Sequence, residues 1–243
     1  IVGTKFLVLD NLLPKELCLM IFNAFPKEEK SFLKIKSFRE KKRTSAKISD
    51  YEKILSEITY AIQDDEFINI ISDITNISSL EADPSLYAGG LSMMGKGDYL
   101  NPHIDNSHDK DRKVYRRLNL LFYVTPNWEL ENGGNFELWD KSVKKNNTIV
   151  SQFNRLVIME TNKTSWHSVS KVKVDNIRCC VSSYFYSQVS PNSSNYFHVT
   201  SFTGRPDEKI KRVYGYIDNL MRNSFSRTTG IGRNKKNISR QKN

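Results

Sequence analysis

Polar and apolar positions divide the chain into two textures. Over "FLVLDNLLPKELCLMIFNAF" a short apolar run ends at Asp10-Asn11 and gives way to a stripe at Leu17, Ile21 and Phe25. This spacing predicts a buried strand, a turn and a helix with Pro14 near its first turn. In "DYEKILSEITYAIQDDEFINIISDITN" the apolar residues Ile54, Ile58, Ile62 and then Ile70, Ile71, Ile74 recur at helical spacing, so two helices, or one broken near Asp64-Asp65, are expected. From about Leu86 the pattern changes to eight short runs separated by turn residues, from "LYAGGLSMM" and "YLNPHID" through "RRLNLLFYVTP", "NFELWD", "TIVSQFN", "RLVIME" and "SWHSVSKV" to "NIRCCVSSYFYS". Short strands at this spacing indicate a β-sandwich or barrel, with helices grouped at the N-terminal end: an α+β chain. A further helix is expected from Pro206 through Val213, Ile217 and Leu220, followed by a polar tail, "TTGIGRNKKNISRQKN", with little to bury.

At 243 residues the chain can bury a core without disulfides. Its three cysteines are an odd number, and Cys179 and Cys180 are neighbours whose side chains diverge in a strand, which fits a reducing compartment such as the cytoplasm. No apolar run has the length of a membrane span. The opening segment, interrupted by Lys5, reads as a core strand rather than a signal peptide, and the start at Ile1 suggests trimming. The net charge of +10 is concentrated at one end: residues 205–243 hold eleven Lys/Arg against three Asp/Glu. Without interleaved aromatics after Phe225 this tail is a poor base-stacking surface. A second basic patch, Lys27 to Lys47, would attract an anionic substrate if it lay at the mouth of a site.

Candidate chemistry changes the picture at "NPHIDNSHDK". His103 and Asp105 lie two apart, so in a strand both side chains leave one face. Two histidines and one carboxylate on one face of an octahedron form the facial arrangement of non-haem Fe(II) oxygenases. His167, at the start of a later strand after the turn-like "TNKTS", is the candidate third ligand. Arg178 follows eleven residues on, past a turn at Asp175-Asn176, where the next antiparallel strand could return it to the same cavity. A buried guanidinium needs an anionic partner and suits a carboxylate, so the set predicts a dicarboxylate that chelates iron at one end and meets Arg178 at the other.

The run from Leu91 to Tyr186 resembles the Fe(II)/2-oxoglutarate-dependent dioxygenases, most closely the prolyl 4-hydroxylase-like branch. The matching pieces are "GDYLNPHIDN", "RRLNLLFYVTPNWELENGGNFELWD" and "WHSVSKVKVDNIRCCVSSYFY". The resemblance implies a double-stranded β-helix (jelly-roll) core with N-terminal helices packed on it and a C-terminal helical extension. Residues 1–204 would form one oxygenase domain, helical over about 12–85 and jelly-roll over about 86–190, with 205–243 a basic helix and tail. His103, Asp105 and His167 would bind Fe(II), and Arg178 the distal carboxylate of 2-oxoglutarate. Dioxygen would be the co-reactant, with ascorbate a further candidate. The implied reaction hydroxylates an unactivated C–H bond while 2-oxoglutarate is decarboxylated to succinate. Asn119 stands where a threonine often lines the 2-oxoglutarate pocket, and Cys180 where many relatives have a small residue, so both join the cofactor-binding candidates.

A peptidyl, prolyl-like substrate is suggested by the branch. A small metabolite or sugar is suggested by Met94 and Leu100, which replace tyrosines common in prolyl hydroxylases. Tyr184 stands where nucleic-acid repair relatives carry a second arginine, so a nucleic-acid substrate is disfavoured. The rival from another class is a non-catalytic jelly-roll module that holds an anionic partner. His108, among Asp109, Lys110, Asp111 and Arg112, reads as an exposed loop residue, and His198 as a strand-end residue. Trp128, Trp139 and Trp166 read as packing residues, "ENGGN" as a tight turn, and the tail as solvated. Oligomeric state is left open.

Overall fold

The computed structural model describes residues 3–26, 32–192 and 195–229. Its elements follow the two textures. The opening strand β1 (Phe6–Asp10) leads into α1 (Lys15–Ala24), with Pro14 just before the first helical residue, where its missing N–H costs nothing. The stripe that α1 buries is Cys18, Ile21 and Ala24, with Phe25 beyond, while Leu17 is turned outward. Helices α2 (Lys53–Ala61) and α3 (Asp65–Thr75) are separate, because Asp64 caps α3 by accepting a hydrogen bond from the Glu66 amide at 2.9 Å. Of the expected isoleucine stripe in α3, Ile71 is buried with Ile68, and Ile70 and Ile74 stand exposed.

The basic patch contains a hairpin that its composition hides: β2 (Leu33–Lys36) pairs with β3 (Glu40–Ser45). Each of the eight short apolar runs overlaps a strand, β4 (Gly90–Met94), β5 (Tyr99–Ile104), β6 (Tyr115–Tyr123), β7 (Phe136–Trp139), β8 (Asn146–Ile149, which shares only its last two residues with the expected run), β9 (Arg155–Glu160), β10 (His167–Val169) and β11 (Arg178–Ser187). A two-residue strand, β12 (Ser201–Phe202), and α4 (Lys209–Thr229) follow. The expected C-terminal helix thus begins three residues late and runs further, and the polar tail from Gly230 on lies outside the described residues.

All strand pairs are antiparallel, in the order β1-β9-β6-β11-β4-β3-β5-β10-β7-β8, with β2 on β3 and β12 on β5. The sheet curls back on itself. Residues on β6 and just after β5 hydrogen-bond across the interior, although several strands separate them in the order. Tyr123, Phe136, Leu138, Met159 and Cys180 form a buried cluster inside the curl. On the outer face, Ile21, Leu55 and Ile71 from the three N-terminal helices share one cluster with Leu118, Leu120, Leu156 and Val181. Period-two alternation explains the division: along β6, Leu118, Leu120 and Phe122 face the helices, while Asn119, Leu121 and Tyr123 face the cavity. Among the described residues, no helix is long and apolar enough to cross a membrane.

Candidate functional site

The curl encloses a cavity of about 440 Å³. His103, the penultimate residue of β5, is the register partner of His167, the first residue of β10, so strand pairing alone brings the two imidazoles together, with ring centroids 4.0 Å apart. Asp105 lies just past the end of β5 and completes the group. Ligand-type atoms of His103, Asp105 and His167 all lie within 4.8 Å of one another.

Each histidine is oriented in the same way. Its Nδ1 meets a backbone carbonyl two residues upstream, Asn101 at 3.0 Å for His103 and Ser165 at 2.9 Å for His167. A carbonyl can only accept, so Nδ1 carries the proton and the Nε2 lone pair is left for the site. The two Nε2 atoms lie 3.6 and 3.4 Å from the Asp105 carboxylate. Burial, reinforced by the neighbouring His167, pushes the His103 imidazole down to about 3 and keeps it neutral. Burial alone would raise the Asp105 carboxyl, but the Arg116 guanidinium holds it well below the usual carboxylate range.

The second oxygen of Asp105 is already engaged. Asn119 donates to Oδ2 at 2.6 Å, and Arg116 Nη1 lies 3.4 Å from the same atom. Arg116 is fully buried, its guanidinium 4.2 Å from the Tyr184 ring centroid, and it also donates to Asn106. His198 donates from Nε2 to the Asp105 backbone carbonyl at 2.7 Å, fixing the main chain at the end of the strand. The Phe202 ring, from β12, stacks on His103 at 5.1 Å.

Arg178 opens β11. Strands β10 and β11 are not neighbours: β10 lies between β5 and β7, and β11 between β4 and β6. Arg178 thus reaches the same cavity on the next strand of the chain, but from the opposite half of the curl. It is buried, donates to the Gly134 carbonyl at 2.8 Å, and sits 5.2 Å from the Tyr123 ring. Among the described residues it has no carboxylate within ion-pair distance, and its buried Nε lacks a partner, as does Asn119 Oδ1. Unpaired polar atoms in such a cavity call for a polar ligand. Cys180, two residues along β11, lines the same wall, and burial pushes its thiol up to about 11.

His108 is buried rather than exposed: Ser107 lies 2.8 Å from its Nδ1, and Tyr115 packs on its ring. His198 precedes β12 and reaches the centre itself. Trp128 and Trp139 are buried and donate to the Gly133 carbonyl and to Ser168. Tyr123, Arg116 and His198 are missed by motif reading. Alternation would have found the first, because Asn119 and Tyr123 share parity along β6, as Arg178, Cys180 and Tyr184 do along β11. The mouth is basic: Arg39, Lys42, Lys110, Arg112 and Arg222 line it against Glu40 and Asp109. Two of these arginines, Arg39 and Arg222, share one buried acid, Asp218 of α4.

The site is thus a histidine-carboxylate-histidine set beside a buried arginine, inside a curled antiparallel sheet. Residues 89–186 match the family model of the 2OG-Fe(II) oxygenase superfamily. Mouse prolyl 3-hydroxylase OGFOD1 is 30% identical over 98 residues, an alignment that takes in 37% of this chain and 17% of the mouse protein, so the match spans about a sixth of that relative's length. Among solved structures, a Pseudomonas putida prolyl-4-hydroxylase is similar with a TM-score of 0.58 at 13% identity, over 77% of this chain and 95% of that one. A Trichoplax adhaerens prolyl hydroxylase in complex with a hypoxia inducible factor oxygen degradation domain peptide fragment is similar with a TM-score of 0.53 at 16% identity, over 75% of this chain and 84% of that one. At these identities the structural likeness is one of fold. The donor set fits Fe(II), with two imidazoles and one carboxylate, and the orphaned Arg178 Nε fits a dicarboxylate cosubstrate.

Proposed function

We propose that this protein is an Fe(II)- and 2-oxoglutarate-dependent hydroxylase acting on a peptidyl, prolyl-like side chain. The observation that carries the reading is the convergence of His103, Asp105 and His167 in the cavity that Arg178 also lines without an acidic partner. The two halves of the curled sheet are read as a double-stranded β-helix. Residues 1–204 are read as its single domain, with α4 as an extension tied down by Asn219 and Asn223.

In this reading His103 Nε2, His167 Nε2 and Asp105 Oδ1 hold the iron. Asn119 and Arg116 occupy Oδ2, which would leave Oδ1 as the oxygen available to the metal. Arg178 receives the distal carboxylate of 2-oxoglutarate, with Cys180 shaping the wall behind it. Burial pushes the Tyr123 phenol up despite the nearby Arg178, so it stays a neutral donor facing the same ligand. Bound Fe(II) with 2-oxoglutarate and dioxygen supplies the oxidising power to place one oxygen on a C–H bond, releasing succinate and carbon dioxide. The protein's share is orientation and exclusion of water, and the basic mouth favours a peptide with acidic residues beside the target. Three buried free thiols support a reducing compartment, the cytoplasm.

The test is anaerobic titration with Fe(II) and 2-oxoglutarate. A weak visible charge-transfer band is expected for the wild type and none for Asp105→Ala, with succinate release reduced about 100-fold or more in that variant. Folded wild-type protein that shows no band overturns the reading. Mass spectrometry of proline-containing peptides should then show a gain of one oxygen, and no gain on any peptide, with gain on a small metabolite, would move the substrate class.

A further inference from the structure

Helix α4 is amphipathic and docked the wrong way round. Gly215, Asp218, Asn219, Arg222, Asn223 and Ser226 recur every three or four residues and form the side that meets the body. That side is held by polar contacts. Asp218 receives Arg39, the Asn219 side chain bonds both backbone groups of Phe202, and Asn223 accepts from the Val199 amide. The other side carries Ile210, Val213, Tyr216, Ile217, Leu220 and Met221, each 49–87% exposed. A helix ordinarily buries its apolar stripe and leaves its polar one in water.

We infer that this stripe is the interface of a homodimer, in which α4 of one copy packs against α4 of the other. Six side chains this exposed present apolar surface on the order of 800 Å², which is what each partner contributes to a standard stable interface and more than a typical monomer leaves in one patch. Between Val213 and Met221 the only charged side chain is Asp218, which is buried and turned inward. A charge-free face is complementary to itself and lets two copies meet without stranding an ion. An acidic protein or an anionic bilayer would instead use cations within the face, and the stretch has none. A two-fold axis crossing the helix near Ile217 makes the pair antiparallel, with Val213 of one copy opposite Met221 of the other. It also keeps apart the cations at the start of each helix, Lys209, Lys211 and Arg212, which a parallel pair would stack together. Because Arg222 lines the cavity mouth from the docked side of the same helix, dimerisation would hold that wall of the site in place. The inference rests on the exposure of α4 and not on the proposed activity.

Sedimentation equilibrium of the full chain across a concentration series tests it, with the double substitution Ile217→Glu, Leu220→Glu as the probe. The wild type should be a dimer whose association strengthens as salt screens the +10 charge of each copy. The double variant should associate about 100-fold more weakly or not at all. Both positions are exposed in the single chain, so the variant should keep its circular dichroism and its binding of Fe(II) and 2-oxoglutarate. A wild type that is monomeric at about 100 μM, or a dimer untouched by the substitutions, or one that salt dissociates, overturns the inference. So does a monomer that sediments with phosphatidylserine vesicles, which would assign the stripe to a bilayer.

Discussion

At the residue scale the centre depends on side chains that divide the labour around one carboxylate. Asp105 offers two oxygens, and the 2.6 Å bond from Asn119 takes one of them. Replacing Asn119 with Ala should free Oδ2 to rotate or chelate and weaken Fe(II) binding about 10–100-fold, in the range of other lost outer partners of metal ligands. Competition with a chromogenic chelator measures this directly, and unchanged affinity would show that Arg116 alone fixes the carboxylate. The ligand candidates were legible because His-x-Asp, a distal His and an Arg form an ordered pattern in the sequence. Arg116 and His198 were not: an arginine beside a second arginine, or a histidine in a polar segment, carries no mark of the partner it will meet.

At the element scale, turns decide whether the two halves of the sheet can face each other. Gly133 and Gly134 both hold positive φ, +68° and +64°, as the pattern "ENGGN" suggested. A Cβ on Gly133 would lie 2.0 Å from the Lys171 carbonyl oxygen, and one on Gly134 would press on Trp128 and on the Arg178 side chain. Gly133→Ala should therefore destabilise the fold by well over about 1 kcal/mol, read as a lowered urea midpoint with unchanged slope. An unchanged midpoint would mean that the turn relaxes freely. The eight apolar runs announced their strands because alternation survives wherever one face is buried. The β2–β3 hairpin escaped notice because its exposed faces are nearly all Lys and Arg, and charge masks the strand signal there. The stripes of α1 and α3 were shifted by a residue or so. Helical periodicity gives spacing, and the phase depends on what the helix leans against.

At the scale of the whole molecule, burial sets the chemistry of the three thiols, two away from the centre and Cys180 on its wall. Cys18 and Cys179 are pushed up to about 12 and Cys180 to about 11, in each case chiefly by burial, from an ordinary thiol value of 9.0. A raised acid favours the folded state while it stays protonated. This contribution is intact below pH 9.0 and is lost as the pH climbs toward 11–12, where the unfolded chain has already given up its thiol protons. The denaturation midpoint should fall over that window, and a maleimide at pH 8 should label the native protein slowly and the urea-unfolded protein at once. Rapid labelling of the native state would show that the thiols are open to solvent.

The sequence by itself determined the element types, the partition into helical and strand regions, and the ordered residues capable of holding a metal and a dicarboxylate. These are properties of local spacing, which a linear chain can display. Only the tertiary structure decided that His103 and His167 are register partners, that Arg178 approaches from the far half of the sheet, and that α4 turns its polar side inward. Each of these depends on which distant segments share a surface. That choice is fixed by the summed burial and hydrogen bonding of the whole fold, and no short window of sequence contains it.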